Sequence, residues 1–226
     1  GNALALDQDL TVLVDTDDLA ALTGNISGNQ GLVLNGNGTL LLSGDNNYAG
    51  GTALNAGMLQ LGHSNALGSG ALTAGGGALF LADGLALSNQ IALDEDLSVL
   101  VDGGDSAELG GELSGTERLI LGGPGRLVVS GDSMTFAGQS EVRNGELSVA
   151  GSLGGSTVVS SGTLSGTGRL ANLTVGAGGV LAPGNSIGTL TVDSVDFSGG
   201  GVYAVEVNAD GRSDRLVVTG NANLTQ

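Results

Sequence analysis

The chain has 226 residues, of which 44 are glycine, two are proline and none is cysteine. Its 23 acidic side chains outnumber six arginines, and there is no lysine, so the net charge of −17 repels nucleic acid and anionic lipid. Lack of cysteine excludes disulfides, thiolate catalysis and cysteine-held metals. A hydrophobic content of 40% suits a packed chain rather than a disordered one. With aromatics at only 2%, the core must be built from Leu, Val, Ala and Ile. Such a core is thin, and a thin core in a turn-dense chain is that of an all-β solenoid.

The first two-thirds of the chain are a duplication. LALDQDLTVLVD at 4–15 recurs as IALDEDLSVLVD at 91–102, an offset of 87. The offset holds for LTGNISG at 22–28 against LGGELSG at 109–115, and for 32–45 against 119–132. One inserted residue then pairs the stretch from Tyr48 with the stretch from Phe136, so the copies span 4–61 and 91–149. Each copy holds strand-turn modules that predict coils of about 20 residues, within the range of stacked repeats. About ten coils rising ~4.8 Å each would make a rod of roughly 50 Å. Within a coil, alternation sets the faces: Leu10, Val12 and Val14 share one side, as do Leu40 with Leu42, Leu59 with Leu61, and Leu127 with Val129. Tyr48 and Phe136 are expected to fill the same niche in two coils.

Two segments carry a family resemblance. Residues 38–81, GTLLLSGDNNYAGGTALNAGMLQLGHSNALGSGALTAGGGALFL, are similar to the passenger-associated transport repeat. The similarity lies in Gly44, Asn47, Tyr48, Gly50, Gly51, Thr52, Gly57, Leu59, Leu61 and the 66–68 turn. A degenerate second copy lies at 131–149. Residues 162–192, GTLSGTGRLANLTVGAGGVLAPGNSIGTLTV, break into short apolar runs at 169–170, 173–175, 180–182 and 190–192. Glycine in nearly every turn rules out helix there. This stretch, with YAVEV at 203–207 and SDRLVVTG at 213–220, resembles the C-terminal passenger region of bacterial autotransporters of the pertactin-like group. That resemblance covers 147–224.

The resemblance implies a right-handed parallel β-helix, with a stalk over 1–146 and C-terminal coils with an autochaperone-like cap over 147–226. It also implies an export partner, the protein's own outer-membrane β-barrel, and an upstream passenger domain. The chain would stand at the bacterial cell surface without inserting into the membrane itself. It opens without a basic start or an apolar run of membrane length, so it is expected to be a segment of a longer protein. Absence of cysteine suits a passenger that crosses a narrow pore unfolded.

Other chemistry finds little footing. The acidic groups around Asp7–Asp18 and Asp94–Asp105 alternate with Leu and Val as an exposed strand face does. They lack the glycine-aspartate calcium signature of β-helices, so calcium is at most incidental. Arg118, Arg126, Arg143, Arg169, Arg212 and Arg215 are too scattered for an acidic-polysaccharide groove. No feature selects a pair of carboxylates for glycoside hydrolysis. His63 sits in a turn with no serine elbow in the sequence. The glycine runs 75–77 and 199–201 lack the lysine of a phosphate loop. Neither cofactor nor metal is expected.

The candidate site is one of folding. Pro183 and Gly184 define a corner with Asn185, Ser186 and Gly188. Phe197, Val202, Tyr203, Val205, Val207 and Asp214 belong to the C-terminal coils expected to fold first and template the rest. A rod that itself touches host surface or another copy is a second reading, and a polysaccharide-acting enzyme a third.

Overall fold

The structure, a computed structural model, describes residues 2–225 and is an all-β, parallel β-solenoid of about ten turns. Three faces repeat up the stack. Face A begins with Leu10–Leu13, Leu32–Asn35, Thr52–Leu54, Leu72–Ala74, Ile91–Leu93 and Leu113–Gly115. Face B runs through Leu19–Leu22, Thr39–Leu42, Met58–Leu61, Ala78–Leu81, Leu97–Val101, Leu119–Leu121 and Gln139–Val142. Face C holds Leu4–Leu6 and Ile26–Gly28, then Ala86–Leu87, Ser106–Leu109, Arg126–Val129 and Glu146–Val149. All these ladders are parallel, each coil pairing with the one below.

Coil length varies along the stack. Asn55 donates to Asn35 20 residues earlier, Gly31 to Asp9 at a spacing of 22, and Asn172 to Gly155 at 17. The short coils explain a departure from expectation. The apolar runs of 162–192 predict separate small strands, yet Ser152–Gly166 and Arg169–Pro183 are each continuous over 15 residues. A 17-residue coil has no residues to spare for corner loops, so the ladder runs round the corners. It bends at register shifts between Leu153 and Ser156 and between Val159 and Ser161.

Alternation places the core as the sequence predicts. Leu40, Leu42, Leu59, Leu61, Leu79, Leu81, Leu127 and Val129 are buried inside the coils, and one cluster extends from Leu6 to Phe197. Each such side chain contributes about 1.5–3 kcal/mol on burial. Stacked coil on coil, these residues make every coil depend on its two neighbours.

The two copies of the duplication stand on different faces. Leu4–Leu6 lies on face C, while its counterpart Ile91–Leu93 pairs with Leu72–Ala74 on face A. Leu10–Leu13 is on face A and its counterpart Leu97–Val101 on face B. The offset of 87 residues is about four 20-residue turns and a third, so the second copy is turned by one face. Face identity is therefore not written into the strands themselves.

Tyr48 and Phe136 are both fully buried, with one difference. The Tyr48 hydroxyl is hydrogen-bonded to Thr52 Oγ1 at 2.5 Å, and burial pushes the phenol pKa up. In the second copy Phe136 has no hydroxyl, and Ser140 Oγ, at the position equivalent to Thr52, is buried without a partner. Phe136→Tyr is expected to restore that bond and stabilise the rod by about 1 kcal/mol. A urea midpoint no higher than that of the parent chain would contradict this.

Candidate functional site: the folded-back C-terminal cap

The site grows from the end of the strand Arg169–Pro183. Gly184 has φ of 92° and Ser186 of 87°, and together they reverse the chain. A glycine is required at 184, because an added Cβ would sit 2.6 Å from Asp214 Oδ1. Gly184 and Gly166 form an antiparallel bridge beside the parallel ladders, with N···O distances of 2.7 and 3.2 Å.

The reversed loop lies across the outside of face C. Asn185 Oδ1 accepts from Arg126 Nη2 at 2.8 Å and from Ser148 Oγ at 3.5 Å, partners 59 and 37 residues earlier. Ser148 and Ser165 point outward from their strands yet are only 0% and 5% exposed, because this loop covers them. Beneath it Arg126 Nε faces Glu146 Oε1 at 3.2 Å, and Glu146 accepts from the Ser165 hydroxyl. Between the loop and residues 204–206 runs an open groove of about 480 Å³.

Asp214 ties three segments together. It is 5% exposed; Oδ1 accepts the Gly188 amide at 2.9 Å and Oδ2 the Glu206 amide at 3.0 Å. Its own amide donates to Glu206 O at 3.0 Å, and Arg215 N donates to Gly188 O at 2.9 Å. A bridge between Val207 and Ser213 closes the intervening loop, pinned by Asn208 Oδ1 accepting from Asp210 and Arg212 amides.

A second, smaller cluster closes the end. Phe197 is buried, its ring 6.4 Å from that of Tyr203. Tyr203 Oη accepts the Leu216 amide at 3.1 Å. Asp196 caps the adjacent turn by accepting from Ser198 N and Asn223 Nδ2. The Ser198 side chain, foremost, holds its carboxyl below the usual range.

Of the eleven residues singled out by sequence, Pro183, Gly184, Asn185, Ser186, Gly188 and Asp214 meet at the folded-back loop. Phe197 and Tyr203 meet at the end cluster. The side chains of Val202, Val205 and Val207 pack into neither core, although the Val207 backbone bridges Ser213 and Val205 borders the groove. They are exposed, and strand structure covers only Val202–Tyr203 rather than the whole 202–207 run. The chain leaves the ladder at Ala204 so that the Glu206 amide can reach Asp214. Arg126, Ser148 and Glu206 belong to the site and carry no local signal. Only the 20-residue coil spacing could have placed Arg126 under the loop.

The arrangement is a hydrogen-bonded clamp. No group of three or more His, Cys, Asp or Glu among the described residues could hold a metal ion. His63 accepts the Asn65 amide at Nδ1, a contact within its own turn, and lies 3.9 Å from Asp45.

The passenger-associated transport repeat matches residues 32–61 and 119–149. Over 143 residues, 62% of this chain, the sequence is 34% identical to the adhesin BmaC autotransporter of Brucella suis biovar 1 (strain 1330). The chain is a β-solenoid segment that carries two such repeats and is homologous over those 143 residues to part of an autotransporter passenger. It spans 4% of the length of that relative. No solved structure matches it. The two passenger repeats begin at Leu32 and Leu119, equivalent points of the duplication, and each ends on the last strand of its copy.

Proposed function

We propose that this solenoid is a stalk that displays an upstream passenger domain at the bacterial surface, with 147–226 as the end that folds first and supports export through the protein's own outer-membrane barrel. The observation that carries this reading is the folded-back loop. Its Asn185 reaches Arg126 across the intervening coils, giving the C-terminal turns bonds that no ordinary stacked coil has. In a solenoid, stability is close to a sum of neighbour terms, and folding can propagate from the most stable end. Emergence of a C-terminal end that folds first would draw the remaining chain outward.

The test uses the full natural gene product in its own cells, with and without residues 147–226. Loss of surface-exposed, protease-accessible passenger in the deletion is expected. Undiminished display without 147–226 would overturn the export role.

A second reading follows from the relative's name, an adhesin: the rod itself contacts a host surface. Binding of the isolated chain to host cells would favour it over a purely displaying stalk.

A further inference from the structure

The outside of face B differs from the other two faces. In the first six coils the outward positions of face A are mostly small or polar, Thr11, Val33, Ala53, Thr73, Ala92 and Ser114, with Leu13, 70% exposed in the first coil, an apolar exception. The outward positions of face B include Leu19, Leu41, Met58, Phe80, Leu100 and Ile120. Alternation fails at these places, as Leu40-Leu41-Leu42, Leu79-Phe80-Leu81, Val99-Leu100-Val101 and Leu119-Ile120-Leu121 are apolar on both sides of the strand. Leu19 is 66% exposed, Leu41, Met58, Phe80 and Leu100 are half-buried, and Ile120 lies outside the core cluster although only 6% exposed.

The register aligns them in two adjacent columns: Ala21, Leu41, Gln60, Phe80 and Leu100 in one, and Leu19, Thr39, Met58, Ala78, Ser98 and Ile120 in the other, so the first carries most of the apolar surface. Six coils at ~4.8 Å make a stripe of about 24 Å along the rod. The strands that carry it are about four residues wide, roughly 13 Å. A helix 10–12 Å across and about 16 residues long has that footprint.

Acidic side chains stand along both long edges of the stripe, with Asn37, Ala56 and Gly77 between the acidic coils of the entering edge. Asp17, Asp18 and Glu95 stand at the corner entering face B, and Asp45, Asp83 and Asp102 at the corner leaving it, all exposed. No arginine or lysine precedes Arg118. A second copy of a chain with net charge −17, or an anionic membrane, is repelled from such a rim. An apolar stripe between two acidic edges instead complements a helix with an apolar face flanked by lysine or arginine. From this juxtaposition we infer that face B, over residues 19–120, is a docking surface for a basic amphipathic helix of another protein.

The experiment titrates the purified chain into a fluorescein-labelled 16-residue peptide with a leucine stripe flanked by lysines, read by anisotropy in 150 mM salt. A peptide of equal charge with glutamine in place of leucine serves as control. Saturable 1:1 binding is expected, at least tenfold weaker for the control and for Phe80→Gln/Leu100→Gln. Circular dichroism checks that the double variant folds. If it does not, Leu19→Gln, at an exposed position, is expected to weaken binding about threefold. Neutralising the rim with Asp83→Asn, Glu95→Gln and Asp102→Asn is expected to weaken it tenfold. Equal binding of the control peptide, or a folded apolar variant within twofold of the parent, would overturn the inference. So would face-B-dependent self-association or vesicle binding, each of which identifies a different occupant.

Discussion

Asp214→Ala is expected to lower the stability of the C-terminal coils by about 2–4 kcal/mol. The carboxylate is nearly inaccessible and satisfies two backbone amides, Gly188 and Glu206, that face no other acceptor in the cap. Truncation removes both part-buried bonds, and a hydrogen bond to a charged group contributes about 1.5–3 kcal/mol. Asp214→Asn keeps one acceptor oxygen and should lose roughly half as much. Urea unfolding followed by tyrosine fluorescence in a Tyr48→Phe background, where Tyr203 of the end cluster is the remaining tyrosine, measures the effect. A midpoint unchanged in Asp214→Ala would mean that the clamp does not hold the cap.

Gly166→Ala is expected to cost a similar amount, about 2–4 kcal/mol, for a different reason. Gly166 has φ of 115°, and an added Cβ would overlap the carbonyl oxygen of Val149 in the coil below. Val149 and Gly166 are in register in a 17-residue coil, which has no loop to absorb a shift. The same substitution at Gly84 separates the two contributions, because that glycine has φ of 71° and open space around it. Gly84→Ala should cost only about 1–2 kcal/mol. Equal losses at both sites would show that backbone conformation alone, and not the close approach of coils, sets the penalty.

Much of the fold was legible because two periods coincide in this sequence. Alternation at Leu40 and Leu42, Leu59 and Leu61, or Leu127 and Val129 put these side chains inside, where they are found. The offset between Leu4 and Ile91 revealed the duplication. It could not reveal that the second copy is turned by one face, since that depends on coil length and not on strand pattern. The continuous strands Ser152–Gly166 and Arg169–Pro183 escaped for a related reason: glycine reads as a turn, whereas here Gly155 and Gly162 let a strand bend without ending.

The cap was half legible. Pro183-Gly184-Asn185 announced a corner, but not its direction, which is back across face C. Positive φ at Ser186 is what turns it, and serine carries no such signal. Valines at 202, 205 and 207 read as strand and core, yet they are exposed because the chain departs to meet Asp214. The outer stripe of face B was visible only once the register had fixed which leucines face out.

The central claim is that this rod folds from its C-terminal end, and pulsed hydrogen exchange during refolding of the 226-residue chain tests it most directly. Amides of 164–192 and those bonded to Asp214 are expected to gain protection first, with those of 10–42 following later. Protection that appears first in 10–42, or at one rate throughout the chain, would contradict it.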